Sequence, residues 1–158
     1  MKKTNAARFL DSLKIEYQLM EYEVDESDVS AEAVAKKTHL PLEQVFKTLV
    51  ARGDKSGVLL ACIPGGGQLD LKRFSEISGN KKIEMVPVKE IQALTGYIRG
   101  GVSPIGIKKR YPVYLDESAL KFPLISISAG VRGCQILLDP KSLSKAIGAH
   151  ISPISRSD

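Results

Sequence analysis

Val45-Phe-Lys-Thr-Leu-Val-Ala51, Arg52-Gly-Asp-Lys-Ser-Gly57 and Val58-Leu-Leu-Ala-Cys-Ile-Pro64 read as two apolar runs joined by a polar, glycine-containing turn. That pattern predicts a β-hairpin, with Arg52-Gly53-Asp54 as part of its turn. Alternation within the first run places Lys47 on one face with Val45, Leu49 and Ala51, and Phe46, Thr48 and Val50 on the other. Both faces are therefore apolar. A lysine in the middle is costly unless it meets an anion or a cavity. The alternative is an edge-strand lysine that blocks strand-to-strand aggregation.

Helices and strands alternate irregularly on either side of the hairpin. Upstream, Thr4 can cap a helix whose Ala6, Phe9, Leu10 and Leu13 share a face, and Ile15 to Val24 reads as a strand. After the acidic turn Asp25 to Ser30, Ser30 can cap a helix through Lys37. Downstream, Pro64-Gly-Gly-Gly67 reads as a flexible joint and Asp70 as the cap of a helix stopped by Gly79. A strand is expected over Ile83 to Val86 and a helix over Pro87 to Leu94. Further strands are expected over Tyr111 to Leu115, Leu124 to Ser128 and Cys134 to Leu138. Asp139-Pro140 opens a last helix that stops at Gly148, leaving His150 in a tail. Hairpins mixed among helices argue for an α+β fold, with residues 1–158 as one domain.

The chain of 158 residues is long enough for a core without staples, and it has no run near the roughly 20 apolar residues of a membrane span. No apolar stretch follows Met1-Lys-Lys-Thr-Asn5, so no secretory signal is visible and a cytoplasmic protein is expected. Cys62 and Cys134 sit in apolar, strand-like surroundings, which favours buried reduced thiols. His39 and His150 are far apart in sequence and from the cysteines, so neither a zinc site nor a nucleophile–base pair is indicated. A net charge of +5 points to an anionic partner, and Lys108-Lys109-Arg110 concentrates three of the cations.

Those cations end the segment Thr95-Gly-Tyr-Ile-Arg-Gly-Gly-Val-Ser-Pro-Ile-Gly-Ile-Lys-Lys-Arg110, which carries Gly96, Gly100, Gly101 and Gly106 around Pro104. Glycines let main chain approach a ligand and expose N–H groups to an anion or a carbonyl oxygen. The Gly100 and Gly101 amides are thus oxyanion-hole candidates, the alternative being a tight turn satisfied internally. Ser128-Ala-Gly-Val-Arg-Gly133 is equally compatible with a hairpin turn or a pocket wall.

TGYxxGGxSPxGxKKR, with Phe46-Lys47-Thr48 upstream and Ser128 to Gly133 downstream, resembles the YbaK/EbsC family of free-standing aminoacyl-tRNA deacylases. That family is related to the editing insertion of prolyl-tRNA synthetase. The resemblance implies a mixed, mostly antiparallel and partly barrel-like sheet among short helices. It also implies hydrolysis of a mischarged tRNA, foremost Cys-tRNA(Pro), without metal or organic cofactor. Lys47, Gly100 and Gly101 would hold the ester; because the sequence indicates no nucleophile of its own, the thiol of a cysteine substrate could take that role. Tyr22, Thr48, Ser103, Pro104, Ser128, Gly130, Arg132 and Asp139 would belong to the pocket, although Asp139 is also an ideal helix cap. Lys108, Lys109 and Arg110 would grip acceptor-end phosphates, and prolyl-tRNA synthetase is a partner to consider. Two alternatives stand beside this reading: an Ala-tRNA(Pro) deacylase of the same fold, and a non-catalytic module that binds tRNA or a synthetase.

Overall fold

The structure is a computed structural model that describes residues 3–157. Helix α1 (Asn5–Ser12) starts where the Thr4 hydroxyl accepts a hydrogen bond from Ala7 N–H at 3.2 Å, and it buries Ala6, Ala7 and Leu10. Strand β1 (Gln18–Glu21) is shorter than the predicted run from Ile15 to Val24. Lys14 adopts φ 58° and Ile15 N–H still donates to Leu10 O, so the helix terminus consumes the first residues of that run. Ser30 caps α2 (Ala31–Thr38) as expected, accepting from Ala33 N–H.

The predicted hairpin forms as β2 (Phe46–Gly53) and β3 (Gly57–Pro64), antiparallel, with Lys47 opposite Ile63 and Gly53 opposite Gly57. The glycines after it are not a flexible joint. Gly65 N–H donates to Val45 O at 2.7 Å, and a Cβ at Gly65 would stand 2.6 Å from the Ala31 side chain. Glycine is needed there because the start of α2 packs directly onto the turn.

Strand β4 (Gln68–Leu69) follows, then α3 (Leu71–Ser78), β5 (Ile83–Met85) and α4 (Val88–Thr95). Next come β6 (Val113–Asp116), β7 (Ile125–Ser128), β8 (Cys134–Leu138), α5 (Pro140–Ile147), β9 (His150–Ser152) and β10 (Ser155–Arg156). The β6 strand starts after Pro112, which has no N–H for a ladder.

Among the described residues the strands form sheets of order β5-β2-β3-β6-β9, β1-β8-β7 and β10-β4. Pairing is antiparallel except for β3–β6 and β6–β9, so the mixed, mostly antiparallel sheet is as expected. A barrel is not formed: β5 and β9 are open edges of the largest sheet. One parallel bridge, Val45–Ser126, joins the first two sheets.

The main core lies between these two sheets, where Phe46, Val50, Leu60, Cys62 and Leu115 meet Ile125, Ile127, Cys134, Ile136 and Leu138. A second cluster on the far side of the hairpin holds Ala51, Leu59, Ala61 and Ile63 against Phe74 of α3.

The segment read as a tail instead completes the fold. His150 lies on β9 beside Tyr114, and Ile154 is fully buried. The Asp116 carboxylate accepts from Ile154 N–H at 3.0 Å and Ser155 N–H at 2.9 Å, fixing the chain end to the end of β6. No described helix is long and apolar enough to cross a membrane.

Candidate active site

From Phe46 to Leu49 strand β2 has a neighbour on one side only. Strand β5 pairs with it at Ala51 to Gly53, and the bridge at Val45 ties the preceding residue to β7. The sheet splits between those two points. A cleft of about 620 Å³ opens along the unpaired edge, lined by residues 26–32, Val45 to Val50, Val86, Ile91, Arg99, Gly100, Val102, Ser128, Arg132 and Gln135.

Lys47 stands on this open edge, half-buried, and its Nζ donates to Gly65 O at 3.1 Å. Its ammonium is therefore not stranded on an apolar face, as alternation alone implied: the same split that opens the cleft gives the charge a carbonyl partner. Beside it, the Thr48 hydroxyl lies 3.6 Å from Cys62 Sγ. Both cysteines are free and buried; burial pushes the Cys62 thiol up to about 12 and, with the Glu21 carboxylate adding to it, Cys134 up to about 11. Neither lines the cleft, nor does either histidine. Among the described residues no group of His, Cys, Asp and Glu gathers as a metal site.

Also lining the cleft, Ser128 and Gln135 are directly paired across β7 and β8, and both are buried. Ser128 Oγ accepts from Gly130 N–H at 3.1 Å, and Gln135 Oε1 accepts from Ser126 Oγ at 2.9 Å. Gln135 Nε2 makes no further hydrogen bond among the described residues, which leaves an amide donor on the cleft wall. The sequence held a faint sign of it: Gln135 is the one amide in the otherwise apolar run Cys134 to Leu138.

The glycine loop divides its labour. Gly100 has φ +85° and lines the cleft, and its N–H makes no hydrogen bond among the described residues. The Gly101 N–H is spent on Ile98 O at 2.8 Å, and Gly101 packs on the Val131–Arg132 backbone rather than on the cleft. The pair of amides expected as an oxyanion hole is thus reduced to one.

At Gly100 a Cβ would come within 2.9 Å of the Val29 side chain. Gly100→Ala should therefore cost about 1–3 kcal/mol from the left-handed backbone and the overlap. Urea unfolding checks this; a loss below about 0.5 kcal/mol would show that the loop relaxes freely.

Several other expected residues lie away from the cleft. Ser103 is fully buried and accepts from Ile105 N–H, and Gly130, at φ +100°, lets the Tyr97 ring pack against it. Asp139 caps α5, accepting from Lys141 N–H and Ser142 Oγ. Tyr22 packs with Val34, Ala35 and Val45 under α2. Pro104, Lys109 and Arg110 border a second groove of about 430 Å³ with Phe9, Ile107 and Ile147, and Lys108 precedes it; the two hollows share no lining residue.

Sequence reasoning read Asp25 to Ser30 as an acidic turn but missed that residues 26–30 of it line the cleft. Asp25 accepts from Ser27 N–H and Oγ, and Asp28 from Ser30 N–H and Oγ. These serine hydrogen bonds, the side-chain ones foremost, hold both carboxyls below their ordinary value. Glu26, between them, pairs with Arg132.

Residues 25–146 match the aminoacyl-tRNA editing domain family. EbsC of Enterococcus faecalis, provisionally named a Cys-tRNA(Pro)/Cys-tRNA(Cys) deacylase, is 44% identical over 154 residues, 98% of this chain and 94% of that one. A crystal structure described provisionally as a trans-editing enzyme for prolyl-tRNA synthetase superposes with a TM-score of 0.84 at 26% identity, covering 99% of this chain and all of the other. The proline–tRNA ligase of Thermosipho africanus is 28% identical over 80 residues, 51% of this chain and 14% of the ligase.

Proposed function

The chain belongs to the aminoacyl-tRNA editing domain family, and as an aminoacyl-tRNA deacylase of that family, we propose, it clears Cys-tRNA(Pro) in trans. We take residues 1–158 as one such domain. The observation that carries this reading is a cleft lined by both Lys47 and Gly100 and, among the described residues, by neither cysteine nor histidine.

An aminoacyl ester is already activated, so a site that orients it and stabilises the developing oxyanion can supply much of the rate. In our assignment Lys47 leaves Gly65 O for the terminal ribose or its phosphate, and the Gly100 N–H receives the oxyanion. Ser128 and Gln135 offer polar contacts to the amino acid, while Val86, Ile91 and Val102 limit its size. The attacking atom comes from the substrate: the cysteine sulfur bonds to its own carbonyl carbon and the carbon–oxygen ester bond breaks. The tRNA 3′ hydroxyl departs with the proton, and water then opens the thiolactone to free cysteine.

Lys108, Lys109 and Arg110 are exposed and make no ion pair among the described residues. We assign them to phosphates of the acceptor stem, outside the ester site. A prolyl-tRNA synthetase is the partner that would supply tRNA selectivity if this surface does not.

The test is release of the amino acid by purified protein from cysteinyl-, alanyl- and prolyl-tRNA(Pro). Cysteine release well ahead of the others is expected. Preferred release of alanine would move the assignment to alanyl-tRNA(Pro). Binding of charged and uncharged tRNA alike with the ester left intact would make the protein a non-catalytic module.

A further inference from the structure

Three segments distant in sequence meet at one guanidinium. Arg132, on the β7–β8 turn, donates from Nε to Arg99 O at 2.9 Å and from Nη1 to the Glu26 carboxylate. A Cβ on Gly100 would stand 3.1 Å from that Nε, so the glycine loop is shaped around this side chain. A guanidinium carries five N–H donors, and these contacts use two of them. The rest remain for a ligand in the cleft that Arg132, Glu26 and Arg99 all line.

Glu26 differs from its acidic neighbours. Asp25 and Asp28 are committed to Ser27 and Ser30, whereas Glu26 has no partner except Arg132 among the described residues. Its side chain is 69% exposed against 27% for Arg132. An exposed carboxylate thus sits on a cation anchored from the other side by a backbone carbonyl.

We propose that Glu26 is a displaceable stand-in for phosphate: its carboxylate holds, on Arg132, the place that a backbone phosphate of the substrate's CCA end takes on entry. This rests on the deacylase reading. A phosphodiester carries the same single charge as a carboxylate and suits the guanidinium fork equally well. An exposed ion pair is weak enough to be exchanged.

The exchange weakens charged and uncharged 3′ ends by the same factor, because both present the same phosphates. It is a uniform-binding effect: it raises KM without lowering kcat, and it lets spent tRNA leave. Glu26 is accordingly a positioning residue acting through Arg132.

The experiment titrates the uncharged trinucleotide CCA into wild type, Glu26→Gln, Arg132→Gln and the double variant. Glu32→Gln, another cleft carboxylate in the first turn of α2, controls for net charge. Glu26→Gln should bind CCA about two- to five-fold more tightly, the range an exposed pair supports. The gain should vanish without Arg132 and be smaller in Glu32→Gln. On Cys-tRNA(Pro), KM should fall by the same factor with kcat not raised. Equal or weaker CCA binding by Glu26→Gln would overturn the proposal, because a carboxylate that merely braces the segment gives that result. An equal gain from Glu32→Gln, or one that persists without Arg132, would overturn it as well. A wild-type protein that binds CCA but leaves the ester intact would fail the deacylase reading alone; the titration still decides the role of Glu26.

Discussion

Replacing Lys47 with alanine is expected to cut deacylation by roughly two to three orders of magnitude, the usual effect of removing one preorganised charge-stabilising donor. Stability should stay within about 0.5 kcal/mol of wild type. The second expectation follows from where the ammonium lies: half-buried on an open strand edge, with a backbone carbonyl as its one hydrogen-bond partner among the described residues. Removing it leaves Gly65 O facing the cleft, where water can replace the lost donor. Single-turnover hydrolysis of Cys-tRNA(Pro) and urea unfolding measure the two quantities. A fully active alanine variant would reduce Lys47 to a tie between β2 and the Gly65 turn. A large loss of stability would mean that the tie itself is structural.

Seryl-tRNA(Pro) should turn over on the order of 100-fold more slowly than cysteinyl-tRNA(Pro), because a thiol is a few per cent ionised near neutral pH and a hydroxyl is not. Alanyl-tRNA(Pro), with no side-chain nucleophile, should be slower still. The pH profile carries the same sign. With a free thiol near 8.5, the cysteine rate should climb about tenfold per unit below that value and level off above it. Neither protein thiol can mimic this dependence, since both are buried outside the cleft and titrate far higher. Efficient hydrolysis of the alanyl ester would make a bound water the attacker.

Much of this architecture could be read from the chain because the signals were local. Thr4, Ser30, Asp70 and Asp139 each cap the helix predicted to follow, and the 45–64 hairpin pairs as its alternation requires. Apart from the length of β1, the misreadings are long-range. Gly65 looked mobile because nothing nearby in sequence reveals that Ala31 packs against it. His150 to Arg156 looked like a tail because their strand partners, β6 and β4, lie 30 residues and more upstream.

The site divides in the same way. Lys47, Thr48, Gly100, Ser128 and Arg132 were readable and do meet at the cleft. Gly101, Gly130 and Ser103 belong to the same motifs, yet they serve the loops that carry those residues. A motif does not distinguish a group that touches the ligand from one that shapes the backbone beneath it. Glu26 gave no signal, because its pairing with a residue on a distant hairpin exists only in three dimensions.

The pairing of residues 150–156 with β6 and β4, pinned by the Asp116 carboxylate, also governs what the protein exposes when it is clipped. A row of unpaired N–H and C=O groups on a strand edge is a template for pairing with another chain. Cleavage after Gly148 would strip β9 from the outer edge of β6 and remove Ile154 from the core. The clipped form should therefore self-associate more readily than the intact one.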